Sequence, residues 1–106
     1  MANARKSNDS ELERLNEAME RYAEQARKIP GVAAVIVVPG EERDISTFID
    51  ERDEEVIERL LDVEDDLFAT FDDQLFDFHV WYLSGRPLDE HLPAVHRMIY
   101  RRGDSK

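Results

Sequence analysis

The strongest constraint on the fold of this chain is an uninterrupted run of seven apolar residues, VAAVIVV, at positions 32–38. Gly31 precedes the run and Pro39-Gly40 follows it, so residues that interrupt regular structure bound it on both sides. A run of small and β-branched side chains without polar alternation predicts a strand buried on both faces, and therefore central in its sheet. Seven residues are too few to span a bilayer, and residues 1–6 do not resemble a signal peptide. We therefore expect a soluble cytoplasmic protein that has no membrane segment.

The segment before this strand has the periodicity of a helix. Ser10 and Glu13 form a capping-box signature, which predicts where the helix begins, and Pro30-Gly31 predicts where it stops. Apolar residues between these points recur at alternating spacings of three and four: Leu12, Leu15, Met19, Tyr22, Ala26 and Ile29. We expect the resulting stripe to pack on the sheet, with a coiled-coil seam as the alternative.

Alternating and helical patterns follow in turn after the apolar run. Residues 44–50 alternate, which predicts a second strand joined to the first by a tight antiparallel hairpin. One face of that strand carries Ile45, Thr47 and Ile49, and the other carries Asp44, Ser46, Phe48 and Asp50. From Asp53, a plausible N-cap, to about Phe71 the spacing of apolar residues is again helical.

The last third of the chain predicts one further strand and a short closing element. Residues 75–83 alternate, with Phe76, Phe78, Val80 and Tyr82 on one face and Leu75, Asp77, His79, Trp81 and Leu83 on the other. Residues 94–102 fit a short helix or an edge strand, and the flanking arginines favour the strand. The order α-β-β-α-β plus this element predicts an α+β two-layer sandwich, with both helices on one face of a mixed sheet. We expect a single domain over residues 9–102, with flexible ends at 1–8 and 103–106.

Charge is distributed unevenly along the chain. The net charge is −11, and residues 41–90 alone carry eighteen acids against four arginines, a net of −14. Such a chain is not expected to bind nucleic acid or an anionic membrane directly. The acids form either a solvated surface or a face that docks a basic protein partner. Cysteine is absent, which excludes disulfides and thiolate chemistry.

Two carboxylates form the candidate metal site of this sequence. Asp44 and Asp77 share a common point if their strands are neighbours, with His79 and Ser46 beside them. Paired carboxylates bind hard cations such as Mg²⁺. The alternative is that Asp44 ends a turn and that Asp77 is an ordinary solvent-facing strand position. His91 and His96 are expected at the surface, because Pro93 separates them and no zinc motif is present.

The element order and the strands Val32–Val38, Asp44–Ile49 and Phe76–Val80 resemble the small minimal nucleotidyltransferases. In that family a Gly-Ser pair follows the first strand, an Asp-x-Asp pair opens the second, and a third Asp lies on a later strand. The resemblance implies that Asp44 and Asp77 hold Mg²⁺ and position a nucleoside triphosphate for nucleotidyl transfer. Glu41 follows Pro39-Gly40 where the family has Gly-Ser, and Ser46 replaces the second Asp.

The remaining candidate site is an interaction surface. If the helices cover one sheet face, the other presents Phe48 and Trp81 with His79 beside them, unless the C-terminal segment folds over it. The acidic second helix adds three further candidate partner-binding residues, Asp62, Asp65 and Asp66. These features favour a non-enzymatic interaction or regulatory domain, without a cofactor, that binds a basic protein or a second copy of itself. The alternatives are an Mg²⁺-dependent nucleotidyltransferase-like enzyme and an acidic mimic of nucleic acid.

Overall fold

The computed structural model describes residues 2–38, 43–71 and 76–103. Within these residues the elements are α1 (Ala2–Ala26), β1 (Val32–Val38), β2 (Arg43–Ile49), α2 (Glu54–Thr70), β3 (Phe76–Tyr82), a short 3-10 turn (Leu88–Glu90) and β4 (Arg97–Arg101). The predicted α+β class and element order are confirmed, and the closing element is a strand. Neither helix in the described ranges is long and apolar enough to cross a membrane.

The four strands form one mixed sheet in the order β3-β2-β1-β4. β1 pairs with β2 and β4 in antiparallel fashion, whereas β2 and β3 run parallel. Parallel neighbours need a crossover connection, and α2 supplies it between β2 and β3. β1 is an interior strand and all but its last residue are buried, as its continuous apolar sequence predicts.

Each face of the sheet is covered by a different part of the chain. The helices cover the face that carries Ile45 and Ile49, and the core between them includes Tyr22, Leu60 and Leu67. The segment after β3 covers the opposite face, where a second, smaller core forms around the following residues: Ala33, Ala34, Ile36, Phe48, Leu83 and Leu88.

The covering segment corrects the prediction that Phe48 is an exposed anchor for a partner. Phe48 is only 2% exposed and belongs to the second core. The backbone has positive φ angles at Ser84 (53°) and Gly85 (83°), which belong to the turn that follows β3. The 3-10 turn that comes next brings Leu88 onto the sheet beside Phe48.

Of the two helices, only α2 begins at its predicted N-cap. α1 begins at Ala2, so Ser10 lies inside the helix and is not its N-cap; Ala2 to Asp9 contains no glycine or proline that would stop the helix earlier. Asp53 is the N-cap of α2, as predicted, and its Oδ1 accepts hydrogen bonds from the backbone amides of Glu55 (3.0 Å) and Val56 (3.4 Å).

Some predicted features fall outside the described residues. They are the hairpin turn at 39–42, the strand position Leu75 and the C-terminal residues 104–106.

A buried hydrogen bond joins α1 to the sheet. The Tyr22 hydroxyl lies 2.8 Å from Thr47 Oγ1, and both residues are fully buried. Burial raises the pKa of Tyr22 well above its ordinary value, because the phenolate would lose its hydration in the core. The bond therefore gives each of two buried hydroxyls a partner.

Replacing Tyr22 by Phe should destabilise the fold by about 1–2 kcal/mol, because Thr47 would keep a buried hydroxyl without this partner. Urea denaturation of the wild type and the variant measures the difference. Tyr82→Phe is the matched control, since Tyr82 is exposed. An equal decrease in the free energy of unfolding in the two variants would contradict a specific role for the buried hydrogen bond.

Glu64 is a partly buried carboxyl on α2. Burial, with a smaller contribution from the neighbouring charge of Asp65, raises the pKa of Glu64 from 4.5 to about 7. The folded chain therefore holds a proton at Glu64 between these two pH values, whereas the unfolded chain does not. By linkage, the contribution of Glu64 to the free energy of unfolding is greatest below about pH 5 and is lost as the pH rises through 7.

Glu64→Gln should therefore stabilise the fold at pH 8 and leave it nearly unchanged at pH 5. Because the carboxyl is partly exposed, the expected gain in the free energy of unfolding is only about 1 kcal/mol. Urea denaturation at both pH values measures it. Glu58→Gln removes the same charge from the exposed side of α2, and an equal gain in that variant would assign the effect to net charge instead.

Candidate metal centre

The parallel register of β2 and β3 places the predicted polar residues side by side. Asp44 is the direct partner of Asp77, Ser46 of His79, and Phe48 of Trp81. Because strand residues alternate between faces, all of these lie on the sheet face opposite the helices. The predicted metal site requires β2 and β3 to be neighbouring strands, and they are neighbours.

Three of these side chains converge. Asp44, Asp77 and His79 each offer one ligand atom, a carboxylate oxygen or an imidazole nitrogen, and these atoms lie within 4.8 Å of one another. Asp77 Oδ2 lies 3.1 Å from His79 Nε2, within hydrogen-bond distance. All three side chains are partly exposed, so an ion can reach them from solvent. The arrangement provides two oxygen donors and one nitrogen donor at a single point.

Trp81 and Ser46 support the position of His79. The indole Nε1 of Trp81 donates a hydrogen bond to Ser46 Oγ over 3.2 Å. The indole stacks on the imidazole of His79, with ring centroids 6.1 Å apart and ring planes 29° apart. Trp81 is 51% exposed, so one part of the ring orients the site and the rest faces solvent.

Two of the three side chains, those of Asp44 and His79, line a cleft of about 300 Å³. Its polar part is formed by Asp44, Ser46 and His79, and its other lining residues are Ile36, Val38, Phe48, Trp81, His91 and Pro93. The covering segment after β3 supplies the last two, so the cleft exists because that segment folds back over the sheet.

His91 and His96, both expected at the surface, are partly exposed. The Nε2 of His91 is nevertheless buried and has no hydrogen-bond partner among the described residues. Its ring lies 6.2 Å from that of Phe48. No motif marks His91, and only the path of the covering segment brings it to the cleft. The Nδ1 of His96 lies 2.8 Å from the carbonyl oxygen of Pro93.

The proposed partner-binding residues are not brought together. Trp81 and His79 lie on the cleft face, whereas Asp62, Asp65 and Asp66 lie on α2, which packs on the opposite face. Asp66 is paired with Arg21 at 3.0 Å. Because the sheet separates the two groups, a single flat partner surface could not contact both.

Comparisons with known proteins give no match: no protein-family model, no curated protein and no solved structure resembles this chain closely enough to be counted.

Proposed function

We propose that the protein binds a divalent transition-metal ion through Asp44, Asp77 and His79, and that the bound ion holds a small anionic ligand in the adjoining cleft. The observation that carries this proposal is the convergence of three ligand atoms within 4.8 Å on two adjacent strands. Two carboxylates attract a cation, and the neutral imidazole adds a donor that suits zinc and its neighbours in the first transition series.

The nitrogen donor favours Zn²⁺ over the Mg²⁺ that two carboxylates alone would suggest. Mg²⁺ prefers an octahedral shell of oxygen ligands and keeps most of its water, whereas imidazole is a common ligand of Zn²⁺. Binding would also replace the short contact between Asp77 and His79. His79 must be neutral to bind the ion, so metal affinity should fall on acidification.

The cleft supports a role in binding a further ligand. Three protein ligands leave coordination positions of Zn²⁺ open, and catalytic zinc sites use such a position for water or substrate. A carboxylate or phosphate group on the ion would place the remainder of its molecule against Trp81 and the apolar side of the cleft.

Calorimetric titration with Zn²⁺ at pH 7.5 should show one saturable site. Asp77→Asn and His79→Ala should each weaken it by about 100-fold, since each removes a ligand from a site of three. Asp62→Asn is the matched control, because it removes the same charge from α2 on the other side of the sheet. The chain has one tryptophan, Trp81, so its fluorescence gives a second signal from the site itself.

Two results would contradict the metal proposal. One is Zn²⁺ binding that is equal in the wild type, Asp77→Asn and His79→Ala, which would assign the ion to other acids or histidines. The other is Zn²⁺ binding that leaves the fluorescence of Trp81 unchanged, since the indole stacks on His79.

Nucleotidyl transfer is the second candidate, and the register that pairs Asp44 with Asp77 favours it. It predicts that ATP with Mg²⁺ shifts the backbone amide NMR signals around Asp44, Ser46 and Asp77 in a saturable way. Asp44→Asn should abolish these shifts, whereas Asp62→Asn should not. An unmoved wild-type spectrum would remove this candidate and leave the Zn²⁺ site to be judged by its own titration.

A further inference from the structure

The outer edge of β3 is open for pairing. β3 is the last strand of the sheet on its side, and no strand of the described residues pairs with its outer edge. None of its seven residues is fully buried. Edge strands are commonly protected from pairing by charged side chains, especially lysine, by proline or by a bulge. β3, of sequence FDFHVWY, has no proline or lysine and a single acidic residue, Asp77, and its pairing with β2 has no register shift.

An apolar surface borders this edge on the helix side. Phe68, Phe76 and Phe78 form a triangle of rings, with centroids 5.4–6.4 Å apart. Phe68 is 42% exposed although it belongs to this cluster, and Leu61, two helical turns earlier on the same side of α2, is 51% exposed. We call the outer edge of β3 together with Leu61, Phe68 and Phe76 the edge surface.

The apolar residues of the edge surface lie among unpaired negative charges. α2 carries seven acidic residues and one arginine, a net charge of −6. Glu58 and Asp65 lie three and four residues from Leu61, so they flank it on the helix surface. Neither has a cationic partner among the described residues, unlike Glu55, which pairs with Arg59.

We propose that the edge surface docks an extended segment of another protein that combines β-branched and basic residues and adds beside β3 as a fifth strand. Backbone hydrogen bonds along β3 would supply affinity, and side chains would supply specificity. Alternate residues of an added strand face α2. On that face, apolar residues at the centre of the segment would pack on Leu61 and Phe68, while Lys or Arg at its ends would approach Glu58 and Asp65. A second copy of this chain fits less well, because pairing two β3 edges would bring two helices of charge −6 together.

The probe is a synthetic heptapeptide, acetylated and amidated, of sequence KTVTVTK, titrated into the isotope-labelled full chain. Its lysines and valines lie on one face of the strand and its threonines on the other. We expect saturable shifts of the β3 amides and slower hydrogen exchange along β3, because newly paired amides are protected. KTVPVTK has the same charge but cannot form a continuous strand, and it should bind at least about tenfold more weakly.

Variants of the edge surface separate its apolar and charged parts. Leu61→Gln should weaken binding of the peptide about tenfold, and the double variant Glu58→Gln with Asp65→Asn by a similar factor that shrinks at high salt. Glu20→Gln, which removes an exposed acid from α1, is the matched control and should leave binding unchanged. Leu61 and Glu58 are exposed, so these variants are expected to fold.

Three outcomes would overturn the proposal. Equal affinity for the two peptides would mean that charge attraction, without strand addition, accounts for binding. An acidic mimic of nucleic acid would give that result. The absence of saturable shifts at millimolar KTVTVTK would mean that the edge does not accept a strand. A dimer in analytical ultracentrifugation that Leu61→Gln dissociates would identify a second copy as the occupant.

Discussion

The burial of β1 on both faces is the constraint from which the rest of the fold follows. A strand without polar residues can be interior only if both faces of the sheet are covered. The two helices cover one face, and the 3-10 turn that carries Leu88 covers the other. The second cover is short, so it buries Ile36 and Phe48 but leaves Trp81 half-exposed. The burial of β1 requires this face of the sheet to be covered. The cleft beside the candidate metal centre is the part of the face that the short segment leaves uncovered.

The parallel pairing of β2 and β3 then determines where the polar side chains meet. An antiparallel hairpin would oppose β2 and β3 in a different register, whereas the crossover through α2 aligns Asp44 with Asp77 and Ser46 with His79. The same crossover leaves β3 at the edge of the sheet with α2 lying over it. Residues of β3 consequently serve two surfaces: Asp77 and His79 belong to the candidate metal centre, while Phe76 and Phe78 join the aromatic cluster under α2.

Alternation in the sequence predicts which face a strand residue occupies, but not which strand lies beside it. The two faces of β2 and β3 could be predicted correctly because apolar residues mark the side that meets the helices. That Asp44 and Asp77 are neighbours depended on strand order, which is a property of the whole sheet. The covering of Phe48 and the arrival of His91 at the cleft depended on residues 83–93, whose pattern of apolar residues has no clear period. Long-range packing, rather than local preference, decided these features.

The pairing of Asp44 with Asp77 conflicts with the local rules that the rest of the sheet obeys. Like charges on directly paired positions destabilise a sheet, and a single contact from His79 to Asp77 offsets only part of that repulsion. Elsewhere in β2 and β3 the pairs suit their surroundings: Ile45 with Phe78, Thr47 with Val80 and Phe48 with Trp81. Sequences that agree with their fold at most positions tend to depart from it where function requires a particular group. A cation between the two carboxylates would turn the repulsion into attraction, and this is the physical reason for proposing that the pair is a binding site.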